Sequence, residues 1–85
     1  MIGILREQID IIDEKLLKLL AKRISLVEKI GIYKRQKNLP SFDEKRWNQV
    51  LNYSLKKAES LKLSKEFVKE LMSLIHKYSL KTQKR

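Results

Sequence analysis

The first part of the chain places apolar residues at the spacing of an α-helix. With about 100° of rotation per residue, they fall within roughly 40° of one line along the helix. We call this line the apolar stripe; it consists of Leu5, Ile9, Ile12, Leu16, Leu20, Val27 and Ile30. Arg23 and Lys34 fall on the same stripe, where a helix that needed only a core would not place cations.

Two shorter helices are predicted after a break at Asn38-Leu39-Pro40. Ser41 and Glu44 have the spacing of a capping box at the start of the second helix. Ser64 is a plausible N-cap of the third. The expected helices are therefore about Ile4–Lys37, Ser41–Ser60 and Ser64–Gln83. No repeat or linker interrupts the pattern, so we expect one all-α domain over residues 1–85, with one long and two shorter helices.

The length of the first helix indicates a homodimer. At about 1.5 Å per residue its 34 or so residues extend roughly 50 Å. A compact chain of this size would be roughly 30 Å across. Part of the apolar stripe then has no cover within its own chain, and two long helices that pack on each other would cover it.

Composition narrows the function classes only a little. The chain has 20 Lys and Arg against 10 Asp and Glu, a net charge of +10. That charge fits nucleic acid, a membrane surface, a small acidic ligand or merely a solvated surface. There is no cysteine, no signal-peptide run and no membrane span, which is compatible with the cytoplasm. No metal-ligand cluster or glycine-rich phosphate loop is visible.

Arg23 and Lys34 are the first candidate site residues, about 16 Å apart on one face. Either alone would be explained by snorkelling or by pairing with a buried carboxylate. Two on one stripe favour a cavity built for an anion. In the third helix, Ser79 lies on the apolar face and Gln83 on its flank. His76 lies about 100° away, and we interpret it as a surface histidine.

The second helix and the N-terminus add further candidates. Asp43 and Arg46 open the second helix, where an acidic residue favours the positive helix end. Trp47 shares a face with Val50, which predicts core packing. Arg6 lies on the order of 25 Å along the helix from Arg23, so it can reach that site only from a partner chain.

Four stretches together resemble one family. LREQIDIIDEKLLKLLAKR, GIYK, PSFDEKR and LIHKYSLKTQ strongly resemble the all-helical class of chorismate mutases, from Leu5 to Gln83. The resemblance implies an intertwined homodimer with two shared active sites. It also implies conversion of chorismate to prephenate in the shikimate pathway of aromatic amino-acid biosynthesis, without cofactor or metal.

The resemblance also implies residue roles. Arg23 would bind one substrate carboxylate, and Arg6 from the partner chain the other, assisted by Ser79. Lys34 and Gln83 would hydrogen-bond the ether oxygen, where negative charge develops. Asp43 would take part on the hydroxyl side, with Arg46 as a nearby cation.

One departure keeps alternatives open. Trp47 stands where well-studied members often carry a glutamate that contacts the ring hydroxyl. A related family on the same fold, isochorismate–pyruvate lyase, also accepts an apolar residue there, and it is the first alternative. A basic helical module that binds nucleic acid is the alternative of another class. It would explain the cationic tail (Lys77, Lys81, Lys84 and Arg85), but not cations on an apolar stripe, so we expect neither a nucleic-acid nor a membrane partner.

Overall fold

A computed structural model describes residues 1–84, which form three α-helices; Arg85, in the cationic tail, lies outside the described residues. The helices are α1 (Ile2–Gln36), α2 (Glu44–Ser60) and α3 (Lys65–Gln83). The prediction of an all-α chain with one long and two shorter helices is confirmed. The observed helix ends differ from the expected ones by at most three residues.

The start of α2 differs from the prediction. Its N-cap is Asp43, whose Oδ1 accepts a hydrogen bond from the backbone N–H of Arg46 at 3.0 Å. The capping box at Ser41 is therefore wrong, because the helix begins at Glu44 and leaves no turn for Ser41 to cap. The cap of α3 is confirmed, since Ser64 Oγ accepts from the N–H of Phe67 at 3.2 Å.

Helix α3 packs against both other helices and holds the chain together. The buried apolar side chains are few, namely Val27, Ala58 and Val68. Gly31 permits a close contact between α1 and α3, because a Cβ at that position would lie 2.8 Å from Gln83 Cα. The end of α3 therefore rests directly on the backbone of α1.

Most of the apolar stripe is uncovered. Leu5, Ile9, Ile12, Leu16 and Ile30 are each between 46% and 61% exposed. The chain is elongated, with a longest extent of 55 Å and a radius of gyration of 15.8 Å. Within residues 1–84, none of the helices combines the length and the apolar character that crossing a membrane requires.

Candidate active site

A cavity of about 210 Å³ lies where α1, the start of α2 and the end of α3 meet. It is smaller than the roughly 300–1,000 Å³ typical of sites for drug-sized ligands. Seven of the eight predicted site residues line it: Arg23, Lys34, Asp43, Arg46, Trp47, Ser79 and Gln83. The eighth, Arg6, is an exposed residue near the other end of α1.

Arg23 is fixed by the third helix. Its Nη1 donates a hydrogen bond of 2.5 Å to Ser79 Oγ, and the Ser79 hydroxyl donates in turn to the carbonyl oxygen of Ile75 at 2.9 Å. In this arrangement Ser79 orients the guanidinium, while its own hydroxyl proton is donated to the backbone of α3. The remaining N–H groups of Arg23 stay available for an anion.

Lys34 is held by two oxygens. Its Nζ donates to the carbonyl oxygen of Ser41 at 2.7 Å and to Gln83 Oε1 at 2.9 Å. An ammonium has three N–H donors, so one remains for a ligand. Because Gln83 accepts through Oε1, its amide NH₂ remains a donor as well. Arg35 donates to the carbonyl oxygen of Gln83 and so helps to hold the end of α3.

No carboxylate of the described residues forms an ion pair with a cation of the cavity. Within residues 1–84, the ion pairs are Lys18–Glu14 and Lys65–Glu59, both on the surface. The pKa of Arg23 is lowered, first by burial and then by the positive charge of Arg46. A guanidinium remains charged at neutral pH despite such a shift. The cavity therefore carries net positive charge, with the cations Arg23, Lys34 and Arg46 against the single carboxylate of Asp43, and this favours an anionic ligand.

The assignment of His76 to the surface was wrong. It is half-buried, lines the cavity and stacks on Trp47, with ring centroids 4.2 Å apart and an angle of 15°. Phe42 contacts it edge-on at 5.8 Å. The prediction failed because it placed His76 relative to the apolar face of α3 alone. His76, Ser79 and Gln83, spaced i, i+3 and i+7, share a second face, and that spacing was the available signal.

Trp47 is not enclosed in a core. It is half-buried and forms part of the cavity wall, so the core-packing interpretation does not describe it. Sequence reasoning also missed Arg35 and the Ser41 carbonyl. Their roles depend on where the connection from α1 to α2 and the end of α3 come to lie, and no spacing along the chain reveals that.

The arrangement supports electrostatic binding more than bond cleavage by a nucleophile. It offers three cationic side chains and one amide donor around a small space. Within the part of the chain that the structure describes, there is no cluster of three potential metal ligands. Such a site can hold a dianion in one conformation and stabilise negative charge that develops on it.

Comparisons with known proteins agree on one family. Residues 5–84 match the family model described as Chorismate mutase type II. The T-protein of Enterobacter agglomerans is 35% identical over 75 residues, which is 88% of this chain and 20% of that protein. The bifunctional chorismate mutase/prephenate dehydratase of Buchnera aphidicola (subsp. Acyrthosiphon pisum, strain APS) is 35% identical over 82 residues, 96% of this chain and 21% of that protein. The chain thus spans about a fifth of the length of these curated relatives.

Proposed function

We propose, because the chain belongs to the chorismate mutase type II family, that it rearranges chorismate to prephenate. Residues 1–85 then form one domain of that family, which acts in the cytoplasm in aromatic amino-acid biosynthesis. One observation carries it. Arg23 and Lys34 are half-buried in one cavity, are each held by a side chain of α3, and have no salt-bridge partner within residues 1–84.

The reaction needs only what this cavity offers. In chorismate an ether C–O bond breaks while a C–C bond forms, and no proton or electron is exchanged with the protein. Arg23 binds one carboxylate and holds the compact conformer that reacts. The free N–H of Lys34 and the amide NH₂ of Gln83 donate to the ether oxygen, where negative charge grows in the transition state. Asp43 takes part on the hydroxyl side, and Arg46 adds positive charge.

A homodimer is part of this proposal, and the exposed surface area of the chain supports it. A compact protein of 10.2 kDa would expose about 5,300 Å². This chain exposes 7427 Å², an excess of about 2,100 Å² by that scaling. A standard interface buries about 800 Å² per partner, so the excess is large enough for an obligate dimer. The exposed apolar stripe and an apolar cavity of about 360 Å³ between α1 and α3 supply a surface of the right chemistry.

A dimer would also bring the second arginine to the site. Arg6 is 17 residues before Arg23 on one continuous helix, about 25 Å away along the axis. It cannot reach the cavity of its own chain. If two α1 helices pack antiparallel, Arg6 of the partner subunit lies near the far half of this helix and binds the second carboxylate.

Isochorismate–pyruvate lyase activity is the second candidate function. The observation that favours it is Trp47, which lines the cavity in place of the glutamate that the family often carries. The lyase would release pyruvate and salicylate from isochorismate through the same arginines and lysine. A nucleic-acid module is less well supported, because Arg23 and Lys34 donate inside the cavity and phosphate contacts need an exposed face.

The first experiment follows chorismate by ultraviolet absorbance, with wild type beside Arg23→Ala. Loss of one donor aimed at developing charge typically lowers kcat about 100- to 1,000-fold. Lys22→Ala is the matched control, because it removes an exposed cation from the adjacent position of α1. An inactive wild type would overturn the mutase proposal, and salicylate fluorescence with isochorismate would then test the lyase.

A second experiment tests the shared site. Arg6→Ala and Arg23→Ala chains are each expected to be inactive, and they are unfolded and refolded together. In a heterodimer one site carries both substitutions and the other carries neither. Random pairing should therefore restore about a quarter of the wild-type activity. The control is the double variant Arg6→Ala/Arg23→Ala, refolded with an equal amount of wild-type chains. It shows whether chains exchange between dimers. No recovery in the first mixture would refute sharing of Arg6.

A further inference from the structure

The second face of α3 carries three polar side chains into the cavity, and two of them are already engaged. Ser79 accepts from Arg23, and Gln83 accepts from Lys34. His76 lies one turn before Ser79 on the same face and also lines the cavity. Within residues 1–84 its imidazole makes no hydrogen bond to protein. Its two nitrogens are not fully buried either, since the described residues contain no buried side-chain nitrogen or oxygen that lacks a partner. Its polar edge is therefore open to a ligand.

Aromatic contacts fix the plane of this imidazole. Trp47 covers one face of the ring at a centroid distance of 4.2 Å, and Phe42 meets it edge-on at 5.8 Å. The two contacts come from different segments, the first turn of α2 and the connection before it. Ring nitrogens form hydrogen bonds in the ring plane, so a stacked neighbour leaves them available. The stack therefore positions the ring without using its polar atoms.

His76 differs chemically from the other groups of the cavity. Burial, and then the positive charges of Arg23 and Lys34, lower its pKa, so the ring is neutral at pH 7. A neutral imidazole offers one N–H donor and one nitrogen acceptor. Arg23, Lys34 and Arg46 are donors only. Asp43 Oδ1 already accepts from the N–H of Arg46.

A secondary alcohol is the ligand group that suits such a side chain, because it both donates and accepts. Chorismate carries two carboxylates and an ether oxygen, for which the cations and the amide suffice, and one ring hydroxyl. We propose that His76, with its plane fixed by Trp47, hydrogen-bonds the ring hydroxyl of chorismate and determines specificity for that group. This inference rests on the proposed mutase function. Trp47 is then a positioning residue that acts through His76, and recognition of the hydroxyl does not need a glutamate at its position.

The test compares kcat/KM for chorismate and for an analogue that lacks the ring hydroxyl. His76→Phe keeps an aromatic ring against Trp47 but removes both nitrogens. Loss of one hydrogen bond should lower kcat/KM for chorismate about tenfold. The value for the analogue should not change. His76→Gln or His76→Asn, whose amides donate and accept, should restore part of the preference for chorismate.

Two further variants separate recognition from structure. Met72→Leu changes an apolar side chain on the same cavity-facing side of α3, so it should affect both compounds equally. Trp47→Leu should reduce the preference for chorismate, but it should have no further effect on that preference in a His76→Phe background. Circular dichroism verifies folding. If the larger phenylalanine ring prevents folding, His76→Leu is used in place of His76→Phe.

The outcomes are distinct. Wild type that converts neither compound overturns the mutase function and this inference with it. If the wild type is active, two results overturn the role of His76 alone. One is that His76→Phe lowers kcat/KM equally for both compounds; the other is that it does not lower kcat/KM for chorismate. A loss confined to chorismate, with partial rescue by the amide variants, establishes the role.

Discussion

Gly31→Ala tests how directly the packing of α1 against α3 controls the site. An alanine Cβ at this position would lie 2.8 Å from Gln83 Cα and 2.9 Å from Gln83 O. Carbon atoms in contact normally sit about 3.5–4.0 Å apart, so the end of α3 must move away by about 0.7–1.2 Å. Both near atoms belong to backbone, so no side-chain rotation can relieve the contact.

The effects on stability and on rate should be very different. Alanine is favoured over glycine in a helix by about 1 kcal/mol. Overpacking costs about 1–3 kcal/mol, so the net loss of stability is about 0–2 kcal/mol. The shift, however, moves the Gln83 amide and its bond to Lys34. A displacement of about 1 Å in positioning groups can lower the rate about 100-fold. We therefore expect a folded protein with a much reduced kcat.

The assay combines initial rates of chorismate disappearance with urea unfolding followed by circular dichroism. Gly3→Ala is the matched control, because nothing lies within 4 Å of a Cβ there and the residue belongs to the same helix. It should leave kcat unchanged. In a Gln83→Ala background, Gly31→Ala should add little further loss, because both changes act on the same donor. Wild-type kcat in Gly31→Ala would refute the reasoning.

Three other predictions concern stability and association. Asp43→Ala should lower the free energy of unfolding by about 1 kcal/mol through loss of the α2 cap. Ser41→Ala should have little effect, since only the Ser41 carbonyl is engaged. Acidification from pH 7 to pH 5 should destabilise the wild type more than His76→Gln. The pKa of His76 is lowered in the fold, so on acidification the unfolded chain takes up the proton first and the free energy of unfolding decreases as the pH decreases. The urea midpoint at each pH measures this effect. An equal change of the midpoint with pH in the wild type and in His76→Gln would contradict it. Ile12→Asp, at a residue 61% exposed on the apolar stripe, should reduce the mass in light scattering from dimer to monomer; an unchanged dimer would show that the stripe is not the interface.

Sequence reasoning identified much of the fold and of the site because both follow local rules. The period of the apolar residues gives the three helices, and the caps and breaks give their ends to within three residues. Arg23 and Lys34 stood out because burying a charge on an apolar stripe costs free energy unless an anionic group pairs with it. Ser41 was wrongly taken as a cap because Ser and Asp are both good N-caps, and only the path of the connection decides between them.

The sequence by itself determined helix number, helix length and the cationic pair on the apolar stripe, because these depend on residue type and on spacing along one axis. The tertiary structure decided what faces what. It brought His76 against Trp47, placed Ser79 and Gln83 on Arg23 and Lys34, and set the backbone of Gln83 against Gly31. These pairings join residues up to 56 positions apart, and their geometry depends on how helices cross. No periodicity within one helix contains that information.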